Sequence, residues 1–342
     1  MSLPNTHSKS LIQWHLAENC RDLPWKSEKD PYKIWLSEIL LQQTKAEAVV
    51  PYYNKILKHF PTIQLLAAAK EQKIFQLWQG LGYYSRCRNL ILTAKWISEE
   101  NSGLFPNTYE GLLALKGIGP YTASAVASFA FNLPYAVVDG NVYRIIARLL
   151  ASAIPIDSTE GKKYFQEKAT ALMDKENPAI YNQAIMDLGA TICKPKNPLC
   201  LQCPWHKYCK AFSTKTVDKF PVKSKKLIIK KRHFHYLVFD DGKHLYIRKR
   251  IGNDIWKDLH EFALIETDDE KIGISFDRNP SASVFQQQLT HQKITAYFYV
   301  MLQKVLRKTI TEYGLEKVAY ENLENYAMPK VILDFLHQNK YL

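Results

Sequence analysis

Leu115-Lys116-Gly117-Ile118-Gly119-Pro120-Tyr121-Thr122-Ala123 reads as the end of one helix, a tight turn and the start of another. Pro120, with its fixed φ, suits a first helical position. Gly117 and Gly119 let the backbone approach an anion closely. The free N–H groups of the turn and of the next helix N-terminus then form a phosphate site. Ile118 is expected to point inward and lock the turn, and Lys116 to face the phosphate. A Gly-x-Gly pair alone is as readily an ordinary tight turn; the whole string favours the anion site. Such a hairpin holds a nucleic-acid backbone without reading its sequence.

Outward from this turn, residues 8 to about 190 carry helical periodicity, as in Ile34, Trp35, Glu38 and Leu41, or Ile74, Leu77, Trp78 and Leu81. Pairs such as Asp30-Pro31, Phe60-Pro61 and Asn177-Pro178 punctuate the segments. An all-α domain of about ten helices is expected over residues 1–212, its last stretch, Ile192–Phe212, being too rich in Pro and Cys for a helix. Residues 213–230 read as a basic linker: Lys215 to Arg232 holds eight Lys or Arg and one acid, Asp218. Residues 231–342 read as a smaller α+β domain. In it His233–Asp240 and His244–Lys249 are strands flanking the turn Asp241-Gly242, Ile294–Val300 is another strand, and Met328–Gln338 is a helix.

At 342 residues and 39.6 kDa, the length suits two domains. Composition excludes collagen-like, disordered and coiled-coil chains. The 46 Lys and Arg against 33 acids, a net charge of +13, favour a polyanionic partner. No run of about 18 apolar residues is present, so no membrane span is expected. No targeting signal is read either, because His15, Glu18 and Asn19 interrupt the N-terminal segment. A cytoplasmic, nucleoid-associated monomer is expected.

Four of the six cysteines, Cys193, Cys200, Cys203 and Cys209, are spaced C-x6-C-x2-C-x5-C. Four thiolates in one short loop can close around a metal centre in a reducing compartment. Spacing alone leaves zinc and an iron–sulfur cubane equally open. Cys20 and Cys87 read as small buried residues.

Two carboxylates stand in unusual places. Glu38 shares a helix face with Ile34, Trp35, Leu41 and Gln42, where lost hydration raises a pKa towards that of a general acid. The alternative is a Glu at the helix edge, reaching solvent or an Arg. Asp139, in Val137-Val138-Asp139-Gly140-Asn141-Val142-Tyr143-Arg144, stands at a helix start. It is a plain N-cap, or a carboxylate aimed at a cationic centre; the two roles are compatible.

These motifs, in this order, resemble the endonuclease III-like superfamily of helix-hairpin-helix DNA glycosylases, and most closely its adenine DNA glycosylase (MutY) family. Arg21-Asp22-Leu23-Pro24-Trp25, Ser37–Thr44, Gln79-Gly80-Leu81-Gly82-Tyr83-Tyr84-Ser85-Arg86 and Tyr181-Asn182-Gln183-Ala184 add to the match. It is dense from about residue 10 to 210 and thinner afterwards.

The resemblance implies a base-excision-repair enzyme that hydrolyses the N-glycosidic bond of adenine mispaired with 8-oxoguanine, or with guanine, in double-stranded DNA. It implies catalysis by Glu38 as proton donor and Asp139 as stabiliser of the oxocarbenium-like sugar, with Tyr121 and Asn141 holding the two in register. Arg21, Trp25, Lys26 and Gln183 would line the adenine pocket, with Lys26 where many members carry Arg. Gln43 and Tyr83 would fill or wedge the base stack, Thr44 and Leu81 would also contact the DNA, and Lys116, Gly117 and Gly119 would hold the backbone. The four cysteines would carry one [4Fe-4S] cluster. Tyr121 stands where strand-cleaving relatives carry the Schiff-base Lys, so no more than weak lyase activity is implied.

Residues 231–342 resemble the Nudix-like module that follows this domain in the family, on Ile255-Trp256-Lys257-Asp258-Leu259-His260-Glu261-Phe262. The Nudix hydrolase helix with its magnesium-binding Glu set is missing, which leaves recognition of 8-oxoguanine as the expected task. The family's Phe-Ser-His loop would fall at Leu289-Thr290-His291, with Leu replacing the aromatic residue. The rivals are a bifunctional endonuclease III-like glycosylase/lyase and a non-catalytic iron–sulfur DNA-binding protein. Tyr121 and the extra C-terminal domain argue against the first, and Glu38, Asp139 and Tyr121 together against the second.

Overall fold

In the computed structural model, residues 4–18, 21–224, 229–269, 282–302 and 307–342 are described. Cys20 and part of the basic run, 225–228, lie outside them. The helices of the N-terminal half are α1 (Pro4–Glu18), α2 (Pro31–Leu41), α3 (Ala46–His59), α4 (Ile63–Ala68), α5 (Glu71–Trp78), α6 (Tyr84–Glu100), α7 (Tyr109–Leu113), α8 (Pro120–Phe131), α9 (Gly140–Leu150), α10 (Thr159–Leu172) and α11 (Pro178–Thr191). After two single 3-10 turns comes α12 (Lys210–Ser213). The C-terminal part holds β1 (Lys230–Asp240), β2 (His244–Lys249), β3 (His260–Glu261), β4 (Ala263–Thr267), β5 (Ser283–Gln288), β6 (Gln292–Leu302), α13 (Arg307–Tyr313), β7 (Glu316–Ala319) and α14 (Lys330–Gln338). A helical domain followed by a smaller α+β part is the expected fold class. Among the described residues no helix is long and apolar enough to cross a membrane.

The chain divides into two compact units. One is Met1–Ala68 with Asn89–Lys226; the other is Ala69–Arg88 with Leu227–Leu342. Segment 69–88, which the sequence places with the helices of 1–212, therefore belongs with the C-terminal sheet. Its hydrogen bonds give the reason. Gln72 donates to the Asn325 carbonyl at 2.7 Å and Gln76 to the Glu324 carbonyl at 3.2 Å.

In the first unit, α2 is buried on nearly every side and is capped by Asp30, whose carboxylate accepts from the Tyr32 N–H at 2.9 Å. The hairpin before α8 divides its two glycines by task. Gly117 has φ +77, and a Cβ there would meet the Asn89 side chain, so both backbone and packing demand glycine. A Cβ on Gly119 would meet nothing within 4 Å. Ile118 is buried and Lys116 exposed. A separate core joins α1, α9, α10 and α11 through Leu11, Ile146, Phe165, Tyr181 and Leu188. It includes Trp205, whose indole N–H donates to the His7 carbonyl at 2.9 Å.

The second unit is built on a mixed sheet of order β3-β2-β1-β6-β5, with β4 also beside β1 and β7 beside β2. Parallel β1 and β6 pair along their whole length, from Lys230↔Gln292 to Asp240↔Leu302. The Asp241-Gly242 turn forms, with Gly242 at φ +86 and its N–H donating to the Asp240 carboxylate at 2.8 Å. The expected hairpin is paired only at Asp240↔Leu245, because β1 lies against β4 from His233↔Thr267 to Leu237↔Ala263 and meets β2 only at its end. Phe335 of α14 stacks on Phe298 of β6 at 4.3 Å and covers one face.

Candidate active site

An open cavity of about 1280 Å³ in the first unit is bordered by α2, the N-termini of α8 and α9, α11 and the loop at 21–29. Glu38, Tyr121, Asp139, Asn141, Arg21, Trp25, Lys26, Gln183, Gln43, Thr44 and Gly119 all line it.

Glu38 is 3% exposed. Its Oε2 has no hydrogen-bond partner among the described residues. An ionised carboxylate so placed is costly, so the group holds its proton. Its pKa is raised from 4.5 to about 7. Burial is the main cause, the Asp139 charge adds to it, and the Tyr121 hydroxyl, which donates to Glu38, opposes it. Burial and the same two carboxylates push the Tyr121 phenol well above its usual value.

Asp139 caps α9. Its Oδ1 accepts from the Val142 N–H and its Oδ2 from the Asn141 amide, both at 2.8 Å. Burial raises its pKa, while the Val142 and Asn141 donors and then the Arg144 charge pull it back. Arg144, 8% exposed, donates to Asn141 Oδ1 and the Gly189 carbonyl, both at 2.8 Å, and to the Cys193 carbonyl at 2.7 Å. Arg144 and Gly189 were not singled out from the sequence. Their signal was faint: Arg144 lies four residues before Arg148 on an amphipathic helix, which reads as a solvated stripe, yet both are buried.

Asp187 of α11 was also missed, although it sits among Ala184, Ile185 and Leu188 as Glu38 sits among its own apolar neighbours. It is buried and takes the Lys26 ammonium at 2.6 Å, Arg21 at 3.3 Å and His15 at 3.5 Å. Lys26 also donates to the Arg21 carbonyl at 2.5 Å. The Lys26 ammonium is thus held in the cavity wall by these acceptors. Trp25 packs edge-on against Tyr53 at 5.3 Å.

Two residues expected to meet DNA have left-handed backbone without being glycine: Gln43 at φ 56 and Tyr83 at φ 49. Such conformations cost energy and gather at functional sites. Leu81, also expected at the DNA, is 9% exposed. In the second unit, Thr290 and His291 form the exposed β5–β6 turn, and the Thr290 hydroxyl hydrogen bonds with the Tyr83 hydroxyl. Both residues and Tyr83 line a cavity of about 470 Å³.

Cys193, Cys200, Cys203 and Cys209 border one small cavity with apolar walls from Ile145, Leu149, Leu188 and Phe212. None forms a disulfide. Arg148, 2% exposed, points a guanidinium N–H at the Cys193 sulfur at 3.4 Å and donates to the Lys194 carbonyl at 2.8 Å. Among the described residues no three His, Cys, Asp or Glu side chains gather as around a single metal ion.

The pattern of the HhH-GPD superfamily base excision DNA repair protein matches residues 36–171. The chain is 37% identical over 259 residues to the adenine DNA glycosylase of Buchnera aphidicola subsp. Baizongia pistaciae, covering 74% of this chain and 72% of that protein. A thermostable thymine-DNA glycosylase superposes with a TM-score of 0.56 at 27% identity, over 60% of this chain and 95% of that one. Endonuclease III trapped in a covalent intermediate with DNA superposes with a TM-score of 0.52 at 21% identity, over 61% and 94%.

Proposed function

This chain belongs to the adenine DNA glycosylase family of the HhH-GPD superfamily, and from that premise we propose that it removes adenine mispaired with 8-oxoguanine, or with guanine, in double-stranded DNA. It is a DNA glycosylase, a hydrolase acting on N-glycosyl bonds. The observation that carries the proposed mechanism is the pairing, in one cavity, of a buried Glu38 held protonated near neutrality with an Asp139 supplied with hydrogen-bond donors.

The target adenine leaves the stack and enters the cavity, since its glycosidic bond is out of reach inside a duplex. Glu38 gives its proton to adenine N7, so the base departs neutral as the C1′–N9 bond breaks. Positive charge develops on the sugar, and the Asp139 carboxylate faces it. Water adds at C1′, and its proton returns to Glu38. This is the two-carboxylate logic of glycoside hydrolysis. Tyr121 keeps Glu38 oriented and Asn141 keeps Asp139 oriented. With no amine at position 121, strand cleavage by a Schiff base has no nucleophile there.

Thr290 and His291, on an exposed turn beside Tyr83, supply a hydroxyl and an imidazole for the 8-oxoguanine opposite. Cys193, Cys200, Cys203 and Cys209 fit a [4Fe-4S] cluster: four free thiols border one cavity with dry walls and a buried Arg aimed at a sulfur. A bound cluster would supply four metal–thiolate bonds that cross-link the loop. Lys194, Lys196, Lys207 and Lys210 give that loop the charge to meet phosphate.

The test is free adenine, identified by mass spectrometry, from a duplex with a single 8-oxoguanine·A pair. Release by the wild type and none by Glu38→Gln supports the mechanism; equal release by both refutes it.

A further inference from the structure

Segment 69–88 is tied to loop 250–259 of its own unit at a point that no step above uses. Arg88 donates to the Lys257 carbonyl at 2.8 Å and pairs with the Asp258 carboxylate at 3.5 Å. The backbone on both sides is unusual. Gly80, Gly82 and Tyr83 have φ of 93°, 76° and 49°, and Trp256 and Asp258 have φ of 61° and 70°. Three of these five are not glycine, and left-handed conformations at such residues persist only where the surroundings over-determine them. The Tyr83 turn is held from inside as well. The Trp78 indole donates to the Gly82 carbonyl at 3.0 Å, and the Arg86 guanidinium lies 5.5 Å from the Tyr83 ring centroid. Tyr83, Arg88, Trp256 and Thr290 line one cavity.

We propose that Arg88 and Asp258 are positioning residues that fix the Tyr83 turn against loop 250–259, so that the Tyr83 ring and the Thr290 hydroxyl reach the same base pair together. Fixing the two in advance removes ordering that would otherwise oppose recognition. The proposal rests on the lesion-recognition reading above.

The test uses the full-length protein. Asp258→Asn removes the charge, while Asn still tolerates left-handed backbone. Arg88→Gln removes the carbonyl contact too, and Arg88→Lys keeps the charge. Hydrogen–deuterium exchange of residues 79–83 should rise in Asp258→Asn, rise further in Arg88→Gln and partly recover in Arg88→Lys, with 34–41 unchanged. Single-turnover excision of 8-oxoguanine·A should fall about threefold in Asp258→Asn, in keeping with a partly exposed ion pair. Excision of G·A should hold steady, and the double variant should be less impaired than the product of the two single effects, because the Asp258 carboxylate acts chiefly through Arg88 although it also meets Lys249 at 3.5 Å. Unchanged exchange at 79–83 overturns the proposal, as does an effect of Arg88→Gln with none from Asp258→Asn, or equal slowing of both mispairs. If the wild type treats the two mispairs alike, the lesion-recognition reading fails, while the exchange data still decide the positioning role.

Discussion

Gly189 leaves no room for a side chain, because its Cβ would overlap the Cβ of Asn141. The missing side chain lets the Asn141 amide stand where it donates to Asp139, while the Gly189 carbonyl accepts from Arg144. Gly189→Ala should displace Asn141 and take one donor from Asp139. Single-turnover adenine excision should fall at least about tenfold, the scale of one lost hydrogen bond to a charged group. Thermal unfolding should show a folded protein weakened by about 1–3 kcal/mol from overpacking. Asp139→Asn should lose most activity with little change in stability, since Asn still caps a helix. An active Asp139→Asn would reduce Asp139 to a plain cap.

Glu38 links activity to stability. Its pKa is near 4.5 when unfolded and about 7 when folded. Between those values the folded protein holds the extra proton. The stability this carboxyl contributes is therefore complete below about pH 4.5 and lost as pH rises through about 7. Glu38→Gln removes that dependence. Relative to wild type, its unfolding free energy should grow from pH 5 to pH 8 by roughly 2–3 kcal/mol. Mispair binding should survive and adenine release should vanish, because Gln has no proton to give. Wild-type excision should fall as pH rises above about 7. Denaturant unfolding at the two pH values and a single-turnover pH profile check both signs.

The hairpin was legible because local chemistry forms it: Gly117 needs positive φ and Pro120 a helix start. Glu38 was legible for a similar reason, as a charge on an apolar helix face. Arg144 and Gly189 were not, because their partners lie 45 residues apart along the chain. The Lys26–Asp187 pair spans α11 and the loop at 21–29, so neither residue alone announces it. The membership of 69–88 in the second unit rests on glutamine amides meeting backbone carbonyls, a contact without periodicity. The strands at 233–240, 244–249 and 294–300 were readable from their aromatic and β-branched residues, but the short β3 and β7 and the partner of β1 were not. The turn at Asp241-Gly242 favours β2, whereas the long pairings go to β6 and β4.

The cysteine loop should colour the purified protein brown, with about four irons and four labile sulfides per chain. Cys203→Ser should lose most of that iron and weaken DNA binding more than it lowers the melting temperature of the rest. Zinc at one per chain, in protein prepared with iron available, would contradict the cluster.

Changing Thr290 and His291 together to Ala should slow excision of 8-oxoguanine·A towards the rate for G·A, because a lost base contact is typically worth ~1–3 kcal/mol. Glu38 chemistry should be unaffected, so the G·A rate should stay. An unchanged ratio of the two rates would move lesion recognition elsewhere, with Gln43, Thr44 and Tyr83 the next residues to vary.

The most direct measurement is a single-turnover assay on a duplex labelled in the A strand opposite 8-oxoguanine, quenched with and without alkali, beside G·A and T·A duplexes. The labelled strand should break only after alkali, fastest opposite 8-oxoguanine, more slowly opposite G, and not opposite T. Breakage without alkali at the same rate would show a lyase. An intact strand after alkali, with folded protein that binds the duplex, would contradict adenine excision opposite 8-oxoguanine altogether.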